Sequence, residues 1–439
     1  MNTLEQNELR VEKYLAPRMG RLCHLINKLL VDPRDARGKR HAFDGLLLAL
    51  LAGLLAGKKG LRDVERLSER LALGRNGGRV SDNALGNLLE RLDDRALAQL
   101  LVIMVKDMKR RGQLRSDGLR RDWIAIDGKY ESLNHHANGW AQKIENREAG
   151  SIYWRLGALR AVLISAAGRP ALGQRVMGPV AGEQSDPDKF KHTGEMSNIR
   201  PFIVWLREQY GDLATNFTLD AGLWSRELFA EMDNAGLGIF GGLKKNKPEL
   251  HAEVERVLRI ERGRRAADAE SDWEPCKDGQ VRRRLWRSYS LDGWNGWTHL
   301  RQVVVVEQTT RSRECVEDTV ELRYFATNLP HATMSASEVL ALVRRHWAIE
   351  NDCNWTFDVV MGEDAGTWCT KGNAMLALGV LKMIAYNLMQ WLRKRHVAVR
   401  HACIPDTPRA WRELQEMIFA NWVRIGRTLL QRLRPSISS

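Results

Sequence analysis

The sequence predicts an α/β protein: a mixed five-stranded sheet with flanking helices, interrupted by a mainly β insertion. An α-helical N-terminal domain precedes it and a helical, basic C-terminal region follows. Three observations predict this. Residues before about 118 space their apolar side chains at helical intervals. From Trp123 the pattern becomes short apolar runs of strand type, two of which end in an acid. After Gly372 helical spacing returns.

In the first region FDGLLLALLAGLLAG is a buried helix, and LRDVERLSERL repeats Leu and Val at helical spacing. The basic loop GRNGGR follows, then SDNALGNLLERL with Ser81 or Asp82 as its N-cap. Two short amphipathic helices around a basic turn read as a helix-turn-helix or as part of an ordinary helical bundle. In the first reading Arg75, Arg79 and Asn83 face a DNA duplex.

WIAIDGK opens the strand pattern. YWRLGALRAVLISAAG and ALGQRVMGPV flank a Gly-Arg-Pro turn as a hairpin, and SNIRPFIVWLREQY is an amphipathic helix. FTLDAG, the helix WSRELFAEMDNAG and the strand GIFGGLKKN come next. Residues 248–322 break the order with a charged helix and strand-like pieces, before YFATNL resumes it. SASEVLALVRRHWAIENDCNW is a helix with Ser335 or Ser337 near its cap. Five regions result: a helical accessory domain at 1–118, the core at 119–247 and 323–390, the insertion at 248–322, and a basic helical arm at 391–439. From Leu381 to Ser439 there are eleven Lys or Arg against three Asp or Glu.

Composition narrows the function classes. With 439 residues, 44 % hydrophobic and 28 % charged, the bulk of the chain is folded and globular. A net charge of +14 favours a polyanionic partner, nucleic acid first and an anionic membrane surface second. The start MNTLEQNELR lacks the signal-peptide pattern, and the apolar stretch Leu46–Ala56 is shorter than the ~20 residues a bilayer needs. No membrane association is therefore expected. Six cysteines with no CxxC pair suit a reducing compartment, most simply a cytoplasm. No GxxxxGKS loop is present, so no nucleotide cofactor is expected.

Three acids carry the candidate chemistry. Asp127 and Asp220 end the first and fourth strands, and Glu350 lies on the late helix. Open α/β sheets place their sites outside strand ends, so the two aspartates face one another across neighbouring strands and the helix offers the glutamate. Each has an ordinary explanation alone: Asp127-Gly128 as a turn pair, Asp220 as a helix cap, Glu350 as a solvated acid. Three converging carboxylates repel one another unless cations sit between them. Mg²⁺ takes a few carboxylates plus water and phosphate oxygens. Two such ions ~4 Å apart serve an in-line phosphoryl displacement, with Mn²⁺ as substitute.

The strings AIDGK, TLDAG, LKKNKPEL and RHWAIENDCNWTFDVVMGEDA resemble the RNase H-like core of DDE transposases from bacterial insertion sequences, in the branch that includes the H-repeat-associated transposases. DPRDARGKRHAFDGLLLALLAGLLAGKKGLRDVERL is similar to that branch's accessory domain, so the resemblance spans about residues 25 to 390. It implies that Asp127, Asp220 and Glu350 are metal ligands; should loss of Glu350 leave cleavage near normal, Glu363 and Asp364 are the next candidates for the third. His346 and Asn354, a helical turn to either side of Glu350, would support the site. Some relatives carry Tyr, Arg and Lys where this sequence has Val343, His346 and Phe357, and many have His where it has Asn354.

Lys129, Lys244, Lys245 and Lys247 suit DNA phosphate contacts or a solvated loop. In the insertion, Trp273, Trp286, Trp294 and Trp297 lie within 25 residues, the last two around the turn DGWNGW. Trp294 and Trp297 read as rings for an extruded base or as insertion core, Trp273 and Trp286 as core. The expectation is a transposase that binds element ends and target as double-stranded DNA, cleaves and joins, and works as a homodimer on DNA. The alternatives are a nuclease of the same fold without joining activity, or a domesticated DNA-binding protein that no longer catalyses.

Overall fold

The computed structural model describes residues 3–71, 78–116, 118–134, 136–146, 150–179, 192–276, 279–312, 317–364, 366–400 and 411–421. Arg75 lies outside them. The helical region holds α1 (Thr3–Leu29), α2 (Phe43–Leu55), α3 (Leu61–Arg70), α4 (Asp82–Arg91) and α5 (Asp94–Arg110). Ser81 caps α4, accepting from the Ala84 amide, and Asp93 caps α5 through the Arg95 and Ala96 amides. Apolar on all sides, α2 buries every residue from Gly45 to Leu55.

The sheet begins with β1 (Ile124–Asn134), β2 (Gln142–Asn146), β3 (Ser151–Leu163) and β4 (Ala171–Met177). After α6 (Glu195–Tyr210) come β5 (Asn216–Leu219), α7 (Arg226–Asn234) and β6 (Gly238–Leu243). β1, β3 and β4 pair antiparallel, whereas β5 and β6 run parallel to β1. The order β4-β3-β1-β5-β6 is that of an RNase H-like core, as the sequence implied. The additional strand β2 pairs with the start of β3.

The insertion does not stand apart from this sheet. It contains α8 (Pro248–Arg264), β7 (Ala269–Glu270), β8 (Glu274–Cys276), β9 (Gly279–Ser288), β10 (Gln302–Ser312) and β11 (Thr319–Thr327). β11 pairs with β6, and β10 and β9 follow, so one sheet of eleven strands runs through core and insertion. The physical reason lies in β6: GIFGGL has no charge to protect a free edge, and a bare apolar edge must be paired or covered. The boundary drawn at 322/323 accordingly falls inside β11.

α9 (Ala336–His346) starts at a capping box, with Ser335 and Glu338 satisfying each other's backbone amides. The expected continuous helix ends there. Residues Ile349–Asn354 and Thr356–Val360 form wider π-helical turns. α10 (Ala374–Arg400) packs against α2, α4, α5 and β4, and the boundary at 390/391 falls inside it. It is the one helix among the described residues long and apolar enough to span a bilayer, with 94 % of its apolar window buried in the protein. That stretch is longer than Leu46–Ala56, on which the sequence argument relied.

The basic arm is also partly corrected. Residues 411–421 form a helix whose Trp411, Leu414 and Ile418 are buried, and Phe419 lies beneath Lys58 at 4.7 Å and Arg70 at 5.8 Å. An apolar stripe at i, i+3 and i+7 docks this segment on the N-terminal helices.

Candidate active site

In-register parallel pairing brings the two aspartates together. Ile126 of β1 faces Leu219 of β5, so Asp127 and Asp220 are the next residues on adjacent strands. β5 stops there, while β1 continues through Asn134 against β3. Asp127 therefore lies within its strand, at the point where the parallel partner ends, and the open space beside it belongs to the site. Asp220 begins a short turn at Ala221–Leu223, but its carboxylate makes no capping bond. It stands 3.4 Å from the Lys244 ammonium instead.

Glu350 is exposed, on the first π-helical turn beyond α9. The three acids sense one another. Burial first, then Glu350, with smaller contributions from Asp220 and Glu195, pushes the Asp127 carboxyl up to about 7. Burial and Asp220 raise Glu350 as well, against the pull of Lys244 and Arg323. Among the described residues, no group of three His, Cys, Asp or Glu side chains stands arranged to hold a metal ion. The donor set nonetheless suits a hard cation: oxygen ligands only, one of them a buried carboxyl that would ionise readily beside a positive charge.

His346 and Asn354 both reach the strands. His346 Nδ1 lies 2.7 Å from the Thr218 hydroxyl, and burial brings its pKa down to about 4, so the ring is neutral at pH 7. Asn354 donates to Asp127 at 3.1 Å and accepts from Arg160 at 3.4 Å. Arg160 is the cross-strand partner of Asp127 and lies 4.4 Å over the Phe357 ring.

Behind Arg160 is a group that sequence reasoning missed. Arg160 donates to Glu363 at 2.8 Å, and Lys382 donates to Glu363 at 3.1 Å and to Glu131 at 3.0 Å. All four side chains are buried, which removes Glu363 as a substitute metal ligand. Two signals pointed to it: Asp127, Lys129 and Glu131 alternate onto one face, and Lys382 interrupts an apolar helical run. Glu195, in the first turn of α6, was also missed. A Cβ built on Gly128 would meet its carboxylate at 2.1 Å, so only glycine lets that side chain approach β1 so closely.

The lysines divide. Lys129 is paired with Asp358 at 2.6 Å and lies 3.6 Å from Asp364, so it is engaged within the protein. Lys247 donates to the Ala221 carbonyl and sits 4.1 Å over the Trp224 ring, where burial lowers its pKa to about 8. Lys244, beside Asp220, and Lys245 are both exposed. Of the two readings left open for the DGWNGW tryptophans, the half-buried positions of Trp294 and Trp297 favour insertion core. Trp297 packs edge-on against Trp224 and Phe229, and Trp294 is half-buried against the core. Asn295 at φ 43 and the left-handed Gly293 and Gly296 turn the chain sharply enough to fold both rings inward. Trp286 is buried; Trp273 is half-buried beneath Arg282 and Arg311.

In the helical region Asn83 is exposed, and Arg79 lies 3.4 Å from Glu65. Asn83 borders a hollow of about 880 Å³ that also takes in Arg37, Arg40, Asn87 and Arg91. Those four residues are additions to the sequence-derived set.

No family model matches the chain. Over 95 residues it is 30 % identical to the putative transposase YncI of Escherichia coli O157:H7, a stretch that is 21 % of this chain and 23 % of that protein. The match thus spans about a quarter of the relative's length. Among solved structures, the cryo-EM structure of the piggyBac transposase synaptic complex with hairpin DNA aligns over 98 % of this chain and 86 % of that one. Its identity is 12 % and its TM-score 0.41, too loose a likeness to argue from. What the local sequence match supports is a broad link between this chain and the transposases.

Proposed function

We propose that the chain is a DNA transposase of the DDE type, in which Asp127, Asp220 and Glu350 hold two Mg²⁺ ions, or Mn²⁺ in their place. The observation that carries this reading is the β1–β5 register, which sets Asp127 beside Asp220 and within electrostatic reach of Glu350. Ions held there would activate the attacking oxygen and stabilise the leaving one. Asn354 holds one Asp127 oxygen, leaving the rest of the carboxylate for ligation. His346, neutral and bonded to Thr218, fixes the end of α9 just before the π-helical turn that carries Glu350. Lys244 and Lys245 offer charge to DNA phosphates, and the hollow around Asn83 and Arg91 suits the duplex of a terminal repeat. Joining needs no nucleotide, because one phosphodiester is exchanged for another. Holding two ends together calls for a homodimer on DNA.

The test is incubation of the purified chain with candidate element ends, target plasmid and Mg²⁺, with nicked and joined products read on a gel. Nicks without joined product would leave a nuclease. DNA binding without nicks would leave a domesticated binding protein.

A further inference from the structure

A cavity of about 750 Å³ opens between α9 and the insertion strands, with Glu350 and Asn351 at one wall. Five arginines line it: Arg169, Arg283, Arg323, Arg344 and Arg345. Lining carboxylates are few, only Glu274 and Glu350, and a single oxygen of Glu274 accepts from both Arg283 at 3.2 Å and Arg344 at 2.7 Å. Arg323 lies 4.9 Å over the Trp347 ring and is held flat by Glu321. Burial, then Arg344 and to a smaller degree Arg323, lowers the proton affinity of Arg283 against the pull of Glu274, the mark of cations crowded together. Arg169 is one of two residues other than glycine with positive φ among those described, at 42°. The tight β3–β4 turn, with Gly168 also at positive φ, imposes that conformation, and the side chain pairs with Asp352 on the π-helical turn next to Glu350.

Resting on the transposase reading, we infer that this cavity is the track for the DNA strand entering the triad, its arginines binding consecutive backbone phosphates. The volume suits one or two nucleotides. Guanidinium groups match phosphate oxygens in pairs, and a strand laid here would bring its phosphates past Glu350. The ligand is the sugar-phosphate backbone, not the bases, because Arg323 covers the Trp347 ring. The insertion thereby supplies one wall of the substrate path, through β8, β9, β10 and β11.

The experiment compares the salt dependence of binding to a candidate end, in chelator so that no cleavage occurs. Each lost phosphate contact flattens the slope of log K against log salt by about 0.7 on a single strand or 0.9 on a duplex. Arg283→Gln with Arg344→Gln should flatten it by about 1.5. Arg256→Gln with Arg259→Gln, an equal charge change on the exposed face of α8, should leave it within about 0.3. Equal slopes for the two double variants would overturn the inference. Should the first variant not fold, Arg323→Gln, expected to flatten the slope by about 0.7, takes its place. Cys276 lines the same cavity and gives a readout on the unaltered protein. Bound DNA should slow its alkylation at least fivefold relative to the DNA-free protein, measured by peptide mass spectrometry. DNA that binds and leaves Cys276 equally reactive refutes the track alone. Failure to bind any DNA refutes the transposase reading itself. Equal protection by inorganic phosphate or a mononucleotide would assign the cavity to small anions and also overturn the track.

Discussion

Lys382→Met tests the buried quartet behind Asp127. Two carboxylates, Glu131 and Glu363, are balanced by two cations, Arg160 and Lys382, all nearly or fully excluded from water. Methionine fills a similar volume but leaves one negative charge uncompensated. Breaking a buried pair in this way costs about 3–5 kcal/mol. At ~2.1 cal/mol/K per residue the unfolding entropy of a chain of this length is about 0.9 kcal/mol/K, so Tm should drop by about 3–6 °C. Calorimetry or a denaturant titration reads the loss. Adding Glu131→Gln to Lys382→Met removes the orphan charge and should recover more than half of it, a coupling of about 2 kcal/mol in the double-mutant cycle. A loss under about 1 kcal/mol for Lys382→Met, or no recovery in the double variant, would show that water reaches the quartet and refute the reasoning. Within the same quartet Glu363 predicts an acid limb, whereas burial outweighs Lys382 and raises Glu131, which works against it. Burial opposes ionisation of Glu363, but Arg160 and Lys382 outweigh it and hold its pKa down to about 2. The stability this confers is present above the ordinary glutamate range and is lost as pH falls from about 4.5 towards 2.

Asp127→Asn, Asp220→Asn and Glu350→Gln should each take cleavage and joining below detection while changing DNA affinity less than about threefold, since affinity comes from many basic contacts. Near-normal cleavage by Glu350→Gln would move the third ligand elsewhere. Asp127, with its carboxyl raised to about 7, binds a proton in the folded state between about pH 4 and 7 that the unfolded chain does not. Stability from this group therefore falls as pH rises through that window, and a divalent cation should reverse the loss. Mg²⁺ should raise Tm at pH 7.5 more than at pH 5; equal shifts would refute a metal bound through Asp127. Trp297→Ala should cost about 2 kcal/mol from lost packing on Trp224 and Phe229 and leave the 2-aminopurine fluorescence of a bound DNA end unchanged. A quenched or brightened signal specific to that variant would return the ring to the DNA interface.

The sequence by itself determined the order of the core elements, placed the Gly-Arg-Pro hairpin turn and narrowed two helix caps to Ser81 or Asp82 and to Ser335 or Ser337. Caps and turns act on neighbours a few residues away, so local chemistry carries them that far, and the structure chose Ser81 and Ser335. It also determined which acids stand at the parallel strands, because apolar runs ending in Asp127 and Asp220 are short-range patterns. Only the tertiary structure decided what those patterns meet. β11 joins β6 across about 80 residues of chain, which made the insertion part of one sheet. The four side chains of the buried quartet come from β1, β3, α10 and the segment after the π-helical turns, far apart in sequence. For Trp297 the glycine-rich turn left base stacking and core packing both open, and the left-handed residues of that turn fold it against Trp224. Local signals set each segment's own conformation. Burial and charge pairing depend on which distant segments share a core, and that is settled only when the sheet closes over its helices.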